Sequence, residues 1–406
     1  MKILNKEKFR SSDPLGRYYT SSSIASLLVK NMNGDPSTVI DLGSGDGALV
    51  REGAKIWDKA KFLTVDIDAN ATSAKLPQLA GPSFTHLIAD ALDKNIQKKL
   101  DINFRSADFA LCNPPYIRPR WKKHFSEILE DGGLSHVFPS GEFVPSDLLF
   151  IAQNLRFLKK GGGLGLILPD GIVSGEKFSK LRRELILSHR LEKIIELPRR
   201  IFKNTDAKAH IVVLSKSMPI SDSVSIQRLE LQGHLSESID LPLDLAINRL
   251  DFSFYFQDSK FSKAGFRLGD YVNFIGRGQF SSSERKEISI PIFHTSDFSS
   301  QSEYIPPRFC ISKVVASGYS RTIAGPGDIL IARVGRNLEQ KVGMVRRGFV
   351  VVTDCILIIR CRPDVRDRIF KYLRSKAGER HLSNLAHGVA AKFITPTSIL
   401  ESTIHF

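Results

Sequence analysis

Four consecutive residues, Asn113-Pro114-Pro115-Tyr116, follow the apolar run Ala107-Asp108-Phe109-Ala110-Leu111-Cys112. They offer two hydrogen-bond acceptors, the Asn113 side-chain oxygen and the Pro114 carbonyl. Pro114 and Pro115 stiffen the backbone that carries them, and the Tyr116 ring stands beside it. Such a site can grip a planar amino group and keep its lone pair available for attack. Upstream lies a glycine-rich stretch, Asp41-Leu42-Gly43-Ser44-Gly45-Asp46-Gly47. Its spacing is G-x-G-x-G, which differs from the G-x-G-x-x-G of dinucleotide sites. Asp41 precedes the loop, where a carboxylate can hold an ammonium. Asp66 ends the next strand and can accept from ribose hydroxyls; Asp90 follows the strand after that and can accept from an adenine amino group. Taken singly, each Asp is equally a turn residue. The ordered set suits S-adenosylmethionine, a cation without phosphate, and the implied chemistry is methyl transfer to an amino nitrogen.

The elements that must position these groups alternate in type. Strand-like runs stand at Thr38–Leu42, Phe62–Asp66, Phe84–Ala89, Asp108–Cys112, Leu164–Leu168, Lys193–Leu197 and His210–Leu214. Helical periodicity covers Ala48–Trp57, Leu148–Lys159 and Leu181–His189, with Gly161-Gly162-Gly163 expected to stop the second. Alternation of this kind implies an α/β fold, a largely parallel sheet with helices on both faces. Ligands then sit beyond the carboxyl ends of the strands, where both motifs fall. After about Lys216 the pattern breaks. From Lys263 onward Gly and Pro punctuate short β-type runs, at Tyr271–Ile275, Asp328–Ala332 and Phe349–Ile359, with a helix near Val365–Arg374. The expected division is a catalytic domain over 1–220, a lead-in over 221–262 and a mostly β domain over 263–406.

The chain of 406 residues carries a formal charge of +15, which points to a polyanionic partner. The excess is +9 from Asp251 to Phe406 and +6 in the longer part before it, so the C-terminal region is expected to do much of the binding. The four cysteines, Cys112, Cys310, Cys355 and Cys361, form no CxxC pair and have no accompanying His cluster. A disulfide framework or a metal site is therefore not expected, and a reducing cytoplasm is the natural setting. The N-terminus lacks a signal peptide's apolar core, and no apolar stretch is long enough to span a bilayer.

With these motifs in this order, the sequence resembles the amino-methylating DNA methyltransferases of the gamma class, across nearly the whole chain. Tyr18-Tyr19-Thr20 and Ile24–Val29 resemble that class's N-terminal cofactor motif, with Ser21 where a proline is common. Asp41–Gly47 resembles its cofactor loop, Asp66 its ribose acid, Asp90 its adenine acceptor and Asn113–Tyr116 its catalytic motif. Ile201-Phe202-Lys203-Asn204 is similar to the late motif whose aromatic residue faces the flipped base. The resemblance implies a Rossmann-like methyltransferase sheet and a prokaryotic, site-specific adenine-N6 methyltransferase. It assigns cofactor contacts to Tyr19, Thr20, Asp41, Gly43, Gly45, Asp66, Asp90 and Asn113, and catalytic roles to Asn113, Pro114, Pro115, Tyr116 and Phe202. An adenine inside a duplex must be flipped out to reach the methyl donor. Tyr116 and Phe202 would stack on it, and transfer would be direct, with Cys112 left as strand core. Families that methylate a protein glutamine amide or a ribosomal RNA amine also use Asn-Pro-Pro-Tyr, which keeps those substrates as the alternative.

The C-terminal region resembles one target-recognition domain of type I restriction specificity subunits. Phe266–Val272 with Gly276-x-Gly278 is similar to its opening, Gly325–Gly335 to its central strand, and Gly388 with Ile394-Thr395-Pro396 to its ending. Arg333, Arg336, Lys341, Arg346 and Arg347 make a basic group suited to phosphates or guanine edges of double-stranded DNA. Asp328, Glu339 and Lys341 superficially suggest a nuclease site, which a strand-entry turn at Gly327-Asp328 explains without metal. A restriction endonuclease is the further partner the resemblance allows, and the sequence leaves the oligomeric state open.

Overall fold

Branched and apolar residues fill the strand-like runs, and they assemble into one nine-stranded mixed sheet. The computed structural model describes residues 19–404 apart from 72–82, 138–143, 200, 203–207, 219–220, 261–265, 300–301, 321 and 388–391. Tyr18, Lys203, Asn204 and Gly388 of the motifs above lie outside the described residues. Two units divide the chain, Met1–Phe252 and Ser253–Phe406.

In the first unit the elements are α1 (Ser22–Lys30), β1 (Thr38–Leu42), α2 (Ala48–Ala54), β2 (Lys61–Asp66), β3 (Ser83–Ile88), α3 (Ile96–Lys99), β4 (Ala107–Cys112), α4 (Phe125–Asp131), α5 (Ser146–Phe157), β5 (Leu158–Pro169), α6 (Asp170–Ser174), α7 (Ser179–Ser188), β6 (Arg190–Glu196), β7 (Ala209–Ser215), β8 (Ser223–Arg228), β9 (Ile239–Pro242) and α8 (Leu243–Asn248). The strand order is β3-β2-β1-β4-β5-β7-β6-β8-β9. The first five strands in that order run parallel; β7 is antiparallel to both β5 and β6. The order reverses between β1 and β4, so the segments leaving these two adjacent strands flank a crevice. The stretch 221–262, expected as a lead-in, carries β8, β9 and α8, and β8 pairs with β6 along Lys193–Glu196.

Both faces of the central strands are buried. On one face Val39, Phe109, Leu111, Ile167 and Ile211 pack with α1 and α2, with Trp57 edge-on to Phe109 at 5.1 Å between ring centroids. On the other, Ile40, Leu42, Ala110, Leu166 and Leu168 are equally covered, and α5 packs against β4 and β5. Two-sided burial is why these runs read as continuously apolar. The triple glycine does not follow a loop: α5 ends at Phe157 and β5 begins at once, so Gly161-Gly162-Gly163 lie inside the strand. Its register against β4 shifts between Ala107 and Phe109. Two positions on, at Gly165, a Cβ would stand 2.6 Å from the Leu28 side chain, which only glycine avoids.

The second unit is built of small sheets. Val272–Arg277, Ile356–Cys361, Ile329–Ala332 and Val342–Met344 form an antiparallel sheet in that order. Ile292–Phe293, Val350–Val352 and Ile323–Ala324 form a second, and Phe266–Arg267 with Thr403–Ile404 and Val334–Gly335 with Lys392–Phe393 form two pairs. The helix expected near Val365–Arg374 spans Arg366–Arg374, and a further helix, Lys376–Leu385, joins it against the core of Ile329, Ile331, Leu357 and Ile359. The single run expected over Phe349–Ile359 is two strands split at a turn. Arg333 holds that turn: its backbone N–H donates to the Cys355 carbonyl (2.7 Å) and its guanidinium to the Asp354 carbonyl (2.8 Å).

Candidate active site

β1 and β4 are neighbours in register, Val39 beside Phe109 and Asp41 beside Leu111. The glycine loop leaves the first and the tetrapeptide leaves the second, so residues about seventy positions apart in sequence share one end of the sheet. The loop can turn there because Gly43, Gly45 and Gly47 all have positive φ, and Gly47 is the residue from which α2 starts. Its base is pinned by Gly43 and Ser44 N–H groups donating to the Val65 carbonyl of β2.

A cavity of about 340 Å³ opens between these segments. Tyr19, Thr20, Gly43, Gly45, Asp66, Asp90 and Asn113 all line it, together with Pro115. Asp41, Pro114, Tyr116 and Phe202 do not. Asp66 is 6% exposed; one oxygen accepts from the Gly45 N–H (2.7 Å) and the other from the Asp68 N–H (2.8 Å). Asp90 accepts from the Leu92 N–H (2.9 Å) and ion-pairs with Lys122 (2.9 Å). Asp41 is 1% exposed, and neither carboxylate oxygen has a hydrogen-bond partner. Burial drives its pKa well above the ordinary carboxylate range, and the negative charges of Asp66 and Asp46 push the same way.

The tetrapeptide is held on three sides. Asn113 donates its amide to Thr20 Oγ1 (3.1 Å), and the Tyr116 hydroxyl lies 3.2 Å from Asn113 Oδ1 and 3.4 Å from the Ile167 carbonyl. Thr20 directly precedes Ser21, whose side chain caps α1 by accepting from the Ile24 N–H (3.4 Å). A serine can therefore start this helix where a proline is common. On the far side Ser146, at the start of α5 and 1% exposed, touches the Pro115 carbonyl, donates to the Ile117 carbonyl (2.9 Å) and accepts from the Ile117 N–H (3.3 Å). Its hydroxyl has one proton for the two carbonyls, so the clamp is shared between them.

Phe202, expected against the substrate base, is 3% exposed within the apolar cluster of Ile195, Leu197, Ala209 and Ile211. With its ring packed there, hydrophobic burial governs its position. Cys112 is fully buried with its thiol toward the Leu42 carbonyl (3.2 Å), and burial raises its pKa well above the ordinary thiol range. Sequence reasoning missed Ser146, Phe150, Arg120 and Lys122. The Phe150 ring lies 3.3 Å from where a Cβ on Gly43 would be, so it walls the cavity behind the loop. The Pro145-Ser146 step marks a helix start but carries no sign that this start returns to the turn.

The basic group of the second unit is divided. Ile329–Ala332 pairs antiparallel with Val342–Met344, Leu330 opposite Gly343. Arg333, Arg336 and Lys341 therefore stand at one end of this hairpin, and Arg346 and Arg347 at the other. Arg336, Arg346 and Arg347 are exposed, with the Arg346 guanidinium 5.3 Å from the Tyr304 ring centroid. Arg333 is half-buried on its turn. Asp328 gives both oxygens to Arg360 (2.9 and 2.7 Å) and one also accepts from the Gly325 N–H (2.8 Å), a structural pairing. Among the described residues no group of three or more His, Cys, Asp or Glu could hold a metal ion, and no helix is long and apolar enough to cross a membrane.

Residues 3–232 match the family described as N-6 DNA Methylase. The chain is 22% identical over 310 residues to the type I restriction enzyme MpnII methylase subunit of Mycoplasma pneumoniae, covering 69% of this chain and 56% of that protein. It is 26% identical over 120 residues to the type I restriction enzyme MjaVII methylase subunit of Methanocaldococcus jannaschii, covering 28% of this chain and 20% of that protein. It thus spans little more than half the length of the first relative and less of the second. In fold it is similar to the type IIG restriction endonuclease BpuSI, with a TM-score of 0.51 at 11% identity over 96% of this chain and 59% of that one.

Proposed function

The chain belongs to the N-6 DNA methylase family, and from that premise we propose that it is a site-specific DNA adenine-N6 methyltransferase of a restriction-modification system. One observation carries the reading: the glycine loop and the Asn-Pro-Pro-Tyr turn leave neighbouring strands and border one cavity.

The residues present fit S-adenosylmethionine. Asp46, Asp66 and Asp90 line the cavity, and the orphaned carboxylate of Asp41 lies buried under the loop. Asp66 has no ion pair among the described residues, and a cationic ligand would offset its charge. Bound there, the cofactor supplies an electrophilic methyl group on a sulfonium sulfur. Asp66 and Asp90 would hold its polar groups, and Leu49, Ile67 and Phe150 would give it an apolar wall.

Asn113 Oδ1, which also lies 3.2 Å from the Tyr116 hydroxyl, accepts one amino N–H of the target base. The Pro114 carbonyl takes the second N–H. The turn that carries both acceptors is tied before the base arrives, Asn113 to Thr20 and the Pro115–Ile117 stretch to Ser146, so their dipoles need little reorganisation as charge develops on the nitrogen. Tyr116 stacks on the extruded base, an interaction of roughly 1–3 kcal/mol. The second unit reads the target sequence, with Arg336, Arg346 and Arg347 among its exposed cations, and duplex DNA is the partner.

The test is to incubate the protein with labelled S-adenosylmethionine and unmethylated genomic DNA and map modified bases by single-molecule sequencing. The expected product is N6-methyladenine at one sequence context. Label entering RNA or a polypeptide, with none in DNA, would overturn the assignment.

A further inference from the structure

We propose that the first unit has its own DNA-backbone contact, a phosphate-binding segment at Arg118–Lys123 on the rim of the reaction cavity; this deepens the function proposed above and rests on it. Immediately after the tetrapeptide the sequence runs Ile117-Arg118-Pro119-Arg120-Trp121-Lys122-Lys123-His124, with four fixed cations and no acid. All four are exposed. Only Lys122 has an ion pair, with Asp90; among the described residues Arg118, Arg120 and Lys123 have none. A solvated basic face is the ordinary fate of such a run. Two further observations distinguish this one.

The segment borders the site: Pro119, Arg120 and Lys122 line the same cavity as Asn113. A base entering that cavity brings its own flanking phosphates to the rim, within reach of whatever cations stand there. The segment is also tied at both ends. Ser146 binds Ile117 through side chain and backbone, and the Ser146 N–H donates to the Ile117 carbonyl (3.2 Å). At the other end the His124 ring lies 2.8 Å from the Leu92 carbonyl, and Phe125 is buried at the start of α4, packed edge-on to Trp121 at 5.7 Å between centroids. Cations on an anchored segment lose less freedom on meeting a polyanion than those on a free loop. Contacts of this kind position the strand and carry no sequence information.

The test uses the full chain and a duplex containing its mapped site. Arg118→Ala/Lys123→Ala should weaken duplex binding tenfold or more at low salt. It should also make the dependence of log Kd on log salt shallower by about two, while the set of methylated sites stays the same. Arg118→Lys/Lys123→Arg, which keeps both charges, should bind like the parent. Parental affinity and salt slope in the alanine variant would overturn the proposal, as would an equal loss in the charge-keeping variant. If the parent methylates DNA and the alanine variant is indistinguishable from it, this segment alone is refuted. If the parent neither binds nor methylates duplex DNA, the proposed function falls and the segment with it.

Discussion

The two units solve different placement problems. In the first, a nine-stranded sheet carries a cavity at its strand ends, and the lining residues come from segments spread between Tyr19 and Phe150. In the second, sheets of two to four strands carry their cations outward at separate turns, and the basic residues that cluster in sequence stand at both ends of one hairpin. A reacting amine needs acceptors fixed to a fraction of an ångström, which long strand registers and repeated side-chain clamps provide. A duplex offers many phosphates and base edges over a wide surface, which short strands and turns can sample piecemeal. Damage to the tetrapeptide and its clamps in the first unit should therefore change rate, and damage to the second should change affinity and site choice.

The largest effect is expected at Asn113. Asn113→Ala should lower single-turnover methylation by about a hundredfold to a thousandfold, comparable to loss of a preorganised polar contact at a reacting atom. Cofactor affinity, read by calorimetry, should change severalfold at most, since Asp66 and Asp90 are untouched. Retained turnover would remove the tetrapeptide from the chemistry. Next is the second unit. Arg336→Ala/Arg346→Ala/Arg347→Ala should raise the DNA Kd by about a hundredfold at low salt and flatten the salt slope. The rate at saturating DNA should hold, and a fallen maximal rate with normal affinity would invert the comparison. A smaller loss, about tenfold in rate, is expected for Ser146→Ala, because the turn keeps its Thr20 contact but loses the clamp on Pro115 and Ile117. Tyr116→Phe should cost less than Tyr116→Ala, since the ring stacks while the hydroxyl only engages Asn113 and the Ile167 carbonyl. Equal losses would give the hydroxyl the larger part.

The unequal demands also explain what could be read from sequence. The strands of the first unit were legible because burial on both faces leaves continuous apolar runs, and β1, β2 and β4 appear nearly where the pattern puts them. The triple glycine misled because glycine marks turns and close backbone approach alike; here it lies within a strand that packs tightly under α1. That the glycine loop and the tetrapeptide share one end of the sheet was legible because each follows the carboxyl end of a strand; that their strands are neighbours was not. Ser146 and Phe150 were not, since nothing local reveals that a helix start some thirty residues on returns to the turn. Phe202 shows the converse: an aromatic at a motif position is equally a core residue, and its surroundings decide. In the second unit, sequence proximity of Arg333 to Arg347 suggested one patch, and only the hairpin register separates it.

The smallest effect concerns stability and bears on how the first unit holds its clamp. Asp147 follows Ser146 in the first turn of α5 and is 7% exposed. Its side chain accepts from the Leu148 N–H (3.1 Å), and the opposing charge acting on it is that of Lys177, with which it forms no ion pair. Asp328 in the second unit, by contrast, has a two-pronged contact with Arg360. Burial raises the Asp147 pKa from 3.8 to about 6, despite the opposing pull of backbone N–H groups and Lys177. The fold thus favours the neutral acid, so this group's contribution to stability is complete below its unfolded value near 3.8 and is lost as pH rises through about 6. A side-chain amide at this position cannot ionise and keeps the acceptor for the Leu148 N–H. Asp147→Asn should therefore match the parent in thermal melts at pH 4 and exceed it by several degrees at pH 7, a gain bounded at about 3 kcal/mol. A difference that does not grow with pH would show that the helix start tolerates a buried charge, and that the clamp on the catalytic turn is built without electrostatic cost.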